Sequence, residues 1–278
     1  MWGAILGDVA GSRFEWNRIK TKDFDFFGPE CEFTDDSVCT AAVAEILLDD
    51  LSPAATLRRW CRRHPGRGYG GMFAEWIETD DPAPYGSFGN GAAMRVSPAA
   101  FLHRHSVVED ALMAANRVTA ITHNHPEGMK GAQATTHAIW LAFQGVAPRE
   151  IRRTVEHAYE YNLSRTVDEI RPGYSFDETC QRTVPEAITC ALESTSFEDA
   201  IRNAVSLGGD ADTLAAIAGP IAEAMHGIPA HLVATARVRA HFFTQAPELV
   251  DVMKRLYSAS EEVPRSLGST LMESRGSA

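Results

Sequence analysis

Leu207-Gly208-Gly209-Asp210-Ala211-Asp212-Thr213, running on through Leu214-Ala215-Ala216-Ile217-Ala218-Gly219 to His226, is the stretch on which the fold turns. The two glycines permit a tight bend and a close backbone approach. Two aspartates and a threonine follow, where the free N–H groups of a helix start need acceptors. Small apolar residues then recur at helical spacing, and Gly227 stands where a helix ends. Side chains this small predict a helix packed tightly inside the protein. Pro220 within it predicts a kink or a division.

The same rhythm appears elsewhere. Ser37–Asp49, Val107–Thr122, Gly128–Phe143, Pro185–Glu193 and Phe197–Leu207 all read as helices. Polar, Gly- and Pro-rich segments, mainly Arg63–Gly71, Asp80–Gly91 and Arg171–Phe176, fall between them. No strand-turn-strand alternation is present. The class predicted is all-α, a single compact domain over residues 1–258, with 259–278 as a mobile, Ser- and Glu-rich tail.

The chain has 278 residues, 45% of them hydrophobic and 23% charged, which excludes a disordered protein. A formal net charge of -11 opposes non-specific binding to nucleic-acid backbones and favours a soluble monomer. It does not oppose a local cation site, where metal charge inverts the field. The five cysteines are widely spaced and include no CxxC pair, which points to buried thiols in a reducing compartment. Met1–Gly11 is apolar but short and carries Asp8, a poor signal peptide. No apolar run is long enough to span a bilayer, so the expectation is a cytoplasmic protein with no membrane partner.

Phe33-Thr34-Asp35-Asp36-Ser37 precedes another small-residue helix. Capping explains one such residue, not four in a row. Adjacent carboxylates repel, which raises a pKa or calls for a cation. Two Asp–hydroxyl clusters at the starts of two small-residue helices together favour a metal site over double capping. Their hard oxygen donors suit Mg²⁺ or Mn²⁺.

Four ordered segments resemble the ADP-ribosylglycohydrolase family. They are Gly3-Ala4-Ile5-Leu6-Gly7-Asp8-Val9-Ala10-Gly11-Ser12 with Glu15 following, Phe33–Ser37, Ser87-Phe88-Gly89-Asn90-Gly91-Ala92-Ala93-Met94-Arg95, and Gly208–Thr213, with Thr122-His123 as a further match. The resemblance implies an all-helical orthogonal domain with two divalent cations, and ADP-ribose on a modified target as substrate. It implies Thr34, Asp35, Asp36, Asp210, Asp212 and Thr213 as metal ligands, and Asp35, Asp36 or Glu15 as the catalytic carboxylate. It also implies that Ser87, Phe88, Gly89, Asn90, Gly91 and His123 contact the ADP-ribose. Glycines in that loop free backbone N–H groups to face anionic oxygens. Arg95 suits either a phosphate or a buried ion pair, and Phe88 either stacking on adenine or core packing.

Relatives often carry Thr or Ser where this chain has Ala211, so one hydroxyl contact is lost. The linkage cleaved is expected to be N-glycosidic, to arginine, by analogy. The alternatives are an O-glycosidic linkage (serine or O-acetyl-ADP-ribose), another dinuclear-metal nucleotide hydrolase, or a non-catalytic ADP-ribose binder. The loops Arg63–Gly71 and Arg171–Phe176 are candidate rim elements that select the acceptor.

Overall fold

The computed structural model of the protein describes residues 1–232 and 244–261. Among these the secondary structure is helical. The one β-bridge pairs Gly89 with Thr179. The expected tail 259–278 lies almost wholly outside the described residues.

Two helices form the axis of the molecule, α1 (Trp2–Gly11) and the helix Ala211–His226. Every residue of α1 from Gly3 to Gly11 is buried, so it has no polar face. Its glycines recur every four residues and lie on one stripe. A Cβ on Gly3 would stand 2.5 Å from the Gly219 carbonyl oxygen, one on Gly7 2.2 Å from that of Ala215, and one on Gly11 2.5 Å from that of Ala211. The two helices therefore run antiparallel with their backbones touching. This register sets the last turn of α1 against the first turn of its partner.

Around this pair, in chain order, stand α2 (Asp35–Leu48), α3 (Pro53–Arg63), α4 (Gly71–Glu78), α5 (Gly91–Met94), α6 (Ser97–Leu102), α7 (Val108–Thr119), α8 (Pro126–Phe143), α9 (Pro148–Tyr159), α10 (Val167–Ile170), α11 (Cys180–Leu192), α12 (Phe197–Ser206), α13 (the helix Ala211–His226) and α14 (Pro247–Glu261). Helices α2, α11 and α13 are buried over most of their length, whereas α3 and α9 are buried on one stripe only. Helix α12 and helix α11 both pack on α13, and α12 also touches α1.

Pro220 neither divides nor ends α13, which is continuous from Ala211 to His226. The lost N–H bond of a mid-helix proline is outweighed here by burial, since residues 211–222 are all buried. Pro185 likewise lies inside α11, not at its start, and the helix begins at Cys180. The sequence reading does not foresee α1, α3, α4, α6, α9, α10 or α14. No helix among the described residues is long and apolar enough to cross a membrane.

Candidate active site

Three helix termini meet at one place. The start of α2 brings Asp35, Asp36 and Ser37, the start of α13 brings Asp212 and Thr213, and the last turn of α1 brings Asp8. Carboxylate oxygens of Asp8, Asp36 and Asp212 lie within 4.8 Å of one another, and so do those of Glu15, Asp210 and Asp212. Asp212 is common to both groups. Two neighbouring sets of oxygen donors sharing one carboxylate match what a pair of hard divalent cations needs. Asp36 Oδ1 is buried and has no hydrogen-bond partner within the protein. An anionic oxygen in that state is stable only with a proton or a cation beside it. The residues therefore fit a metal pair.

Asp8 has no role in the sequence reading, yet it organises the cluster. It is fully buried, and its carboxylate accepts from the Thr34 N–H (2.9 Å), the Thr34 hydroxyl (2.7 Å), the Ser37 N–H (3.0 Å) and the Ser37 hydroxyl. It thus satisfies free N–H groups at the start of α2 from outside that helix. Thr34 also caps its own helix by accepting from the Asp36 N–H at 3.3 Å. Capping and ligand duty coexist in these residues. The signal in the sequence is a lone carboxylate in an apolar, glycine-spaced segment.

The second acidic segment is held by its glycines and by a lysine. Gly208 has φ +65°, a left-handed conformation, and Gly209 faces the Tyr174 ring, where a Cβ would stand 2.3 Å from Cε1. The Lys20 ammonium donates to the carbonyls of Arg171 (2.8 Å), Tyr174 (2.6 Å) and Leu207. It ties the bend to the loop after α10. Asp210 accepts from Asn90 Nδ2 at 2.7 Å, and the Thr213 hydroxyl donates to Asp36 at 3.3 Å.

A cavity of about 270 Å³ opens onto these carboxylates. Glu15, Asp35, Asp36, Asp210, Asp212 and Thr213 line one part of it, and Ser87, Gly89, Asn90, Gly91, Arg95 and His123 line another. Thr34 does not line this cavity but a neighbouring one, which it shares with Glu15. Asp35 reaches the cavity but belongs to neither carboxylate group. Gly68, with φ +95°, lies beside it, and a Cβ there would stand 3.3 Å from Asp35 Oδ1. Phe88 is 45% exposed and packs on His125, with ring centroids 5.2 Å apart.

The loop Ser87–Gly91 is fastened more firmly than its glycines suggest. The Gly89 N–H donates to the Ser87 hydroxyl and the Asn90 N–H to the Glu178 carbonyl, so both N–H groups are engaged within the protein. Asn90 is buried and directs its amide to Asp210 and Thr183, which joins the loop to the acidic cluster.

Arg95 is almost wholly buried, and its Nη2 lies 2.5 Å from the Thr122 hydroxyl and 3.2 Å from His123 Nδ1. A guanidinium only donates, so Nδ1 must accept. The His123 proton then sits on Nε2, which faces Gly91. Burial, and next the Arg95 charge, hold the pKa of His123 well below its ordinary value. His123 is thus a neutral donor.

The carboxylates are shifted the other way. Burial pushes Asp8 up to about 6, against the pull of its hydrogen bonds. Burial, with Asp210 and Asp8 nearby, pushes Glu15 up to about 7. Burial and mutual repulsion raise Asp36 and Asp212 well above the ordinary carboxylate range, and burial, with Cys39 and Asp8 nearby, does the same for Asp35. Without a cation such a cluster retains protons.

Comparison with known proteins bears directly on this arrangement. The sequence model of the ADP-ribosylglycohydrolase family matches residues 1–263. The chain is similar to the ADP-ribosylarginine hydrolase Tri1 of Pseudomonas putida (strain GB-1), 27% identical over 90% of this chain and 76% of that protein. It is also similar to the ADP-ribosylhydrolase ARH3 of Homo sapiens, 26% identical over 81% of this chain and 84% of that one. A solved structure, described as an ADP-ribosylglycohydrolase-related protein complex, covers 93% of this chain and 95% of its own at a TM-score of 0.68 and 24% identity, and so shares the fold.

Proposed function

Because the chain belongs to the ADP-ribosylglycohydrolase family and is therefore an ADP-ribosyl hydrolase of the glycosidase type, we propose that it uses two divalent cations, Mg²⁺ or Mn²⁺, to release ADP-ribose from arginine-linked targets. The observation that carries the metal reading is the pair of carboxylate groups sharing Asp212, with the unpartnered Asp36 Oδ1 between its neighbours. The lean to arginine rests on the similarity to a protein named as an ADP-ribosylarginine hydrolase.

Asp8, Asp36 and Asp212 would hold one cation, and Glu15, Asp210 and Asp212 the other, with the hydroxyls of Thr34 and Thr213 adjoining. When bound, the cations supply positive charge that orients the ribose hydroxyls and acidifies water. In the reaction the bond from the anomeric carbon to the acceptor nitrogen breaks and a water oxygen takes its place. One water proton passes to a carboxylate of the site, and the departing nitrogen takes up a proton, so one water is consumed. Asp35 would receive that proton; what supports this is that it lines the cavity without belonging to either carboxylate group. Glu15 is the second carboxylate within reach of the same space. His123, with its Nε2–H, and Ser87, with its hydroxyl, also line the cavity and would suit the anionic diphosphate of the ligand.

The experiment that tests this reading is Asp212→Asn. Loss of one shared carboxylate is expected to abolish both cation binding and turnover while helicity is retained. Normal turnover together with normal cation binding in that variant contradicts the proposal.

A further inference from the structure

Trp16 is the most exposed large hydrophobic residue described, at 71%. It follows Glu15 directly, and its indole N–H bonds the Glu15 carboxylate. Its ring stacks on Phe176, with centroids 5.5 Å apart and 29° between planes. Neither ring lines the cavity itself; the pair adjoins it through Glu15, which precedes Trp16 and does line it. Two residues beyond Phe176 comes Glu178, an exposed side chain lining the same cavity.

The protein already places a guanidinium on one ring of this pair, that of Phe176. Arg18 lies over the Phe176 ring, with Cζ 4.6 Å from the centroid, while its Nε donates to the Glu15 carbonyl. Planar cations are attracted to the faces of such rings, and arginine more than lysine because it also stacks. A carboxylate beside an aromatic face completes the chemistry of guanidinium recognition. A serine hydroxyl or an acyl ester offers nothing that this combination would select.

We infer that Trp16, Phe176 and Glu178 form an acceptor subsite that holds the guanidinium side of the substrate, beside Glu15 at the edge of the cavity. This rests on the arginine-linked reading and deepens it. Trp16, backed by Phe176 and Arg18, supplies the exposed stacking face, and Glu178 supplies the countercharge. The subsite acts on the acceptor and not on the ADP-ribose.

The test compares kcat/KM for ADP-ribosylarginine with that for ADP-ribosylserine, in the full chain and in Trp16→Ala and Glu178→Gln, with the dissociation constant of free ADP-ribose measured on each. Both side chains are exposed, so folding is not at stake, and circular dichroism checks it. The inference predicts that each variant lowers the arginine-to-serine ratio at least tenfold, mainly through KM, with ADP-ribose affinity within twofold of the parent. An unchanged ratio in both variants, or an equal loss on both substrates, overturns the subsite while leaving the linkage reading intact. Failure of the parent itself to cleave ADP-ribosylarginine overturns the linkage reading and the subsite with it.

Discussion

At the level of single residues, the site's character comes from charge that the fold concentrates. Asp210 illustrates this, since its carboxylate is buried, accepts from Asn90 and lies in the group with Glu15 and Asp212. Asp210→Asn can keep the Asn90 contact through its remaining oxygen while removing one negative charge. The expected outcome is a loss of at least a hundredfold in kcat and weaker Mn²⁺ binding, with unchanged helicity, read by steady-state kinetics and calorimetry. His123 is a second case. Arg95 fixes its Nδ1 as an acceptor, so ¹⁵N spectra are expected to show the neutral Nε2–H tautomer throughout about pH 6 to 8. Arg95→Met removes both the donor and the like charge, and is expected to move the His123 pKa upward, in a protein that also binds ADP-ribose more weakly. Most of these residues were legible in the sequence because acidic and hydroxyl residues crowd into Phe33–Ser37 and Gly208–Thr213. Asp8 was not, because one carboxylate among apolar neighbours gives no pattern until α2 is placed beside it. Trp16 and Glu178 were not, because their partnership with the cavity is made by tertiary contact.

At the level of elements, the spacing of glycines in α1 does the positioning. Gly3, Gly7 and Gly11 let α1 touch α13 backbone to backbone, and this brings Asp8 to Asp212. Gly7→Ala puts a Cβ 2.2 Å from the Ala215 carbonyl oxygen, with no flexible side chain to give way. The helices must separate, at a cost of about 1–3 kcal/mol. The expected result is a lower melting temperature together with weaker cation binding, though the substitution touches no ligand. The long buried helices were readable from their small-residue rhythm, and α2, α7, α8, α12 and α13 fall close to the expected positions. Helices α3 and α9 carry a clear amphipathic pattern that starts at Pro53 and Pro148, residues easily taken for loop punctuation. Helix α1 resists a periodic reading because all of its faces are buried. Pro185 and Pro220 mislead for a related reason: tertiary burial decides against the local penalty.

At the level of the whole molecule, the buried acidic cluster couples stability to pH and, on the two-cation proposal, to cations. Asp8 and Glu15 have folded-state pKa values raised to about 6 and about 7, from ordinary values of 3.8 and 4.5. Without cations the folded protein therefore retains protons that the unfolded chain releases. Stability from these groups falls as pH rises from about 4 to about 7. On the two-cation proposal, divalent cations would take the place of those protons. The melting temperature is then expected to rise on adding Mn²⁺, and to rise more at about pH 7.5 than at about pH 5. A thermal scan at the two pH values, with and without the metal, checks it. Equal shifts at both pH values would mean that the ion binds elsewhere.

The most direct test of the central claim is release of free ADP-ribose from an arginine-linked substrate, before and after stripping divalent cations from the protein. The account predicts release in Mg²⁺ or Mn²⁺, loss of release with a chelator, and recovery when the cation is returned. Release that is indifferent to chelation contradicts the two-cation mechanism. Binding of ADP-ribose with no release in the presence of cation contradicts the catalytic assignment for this linkage.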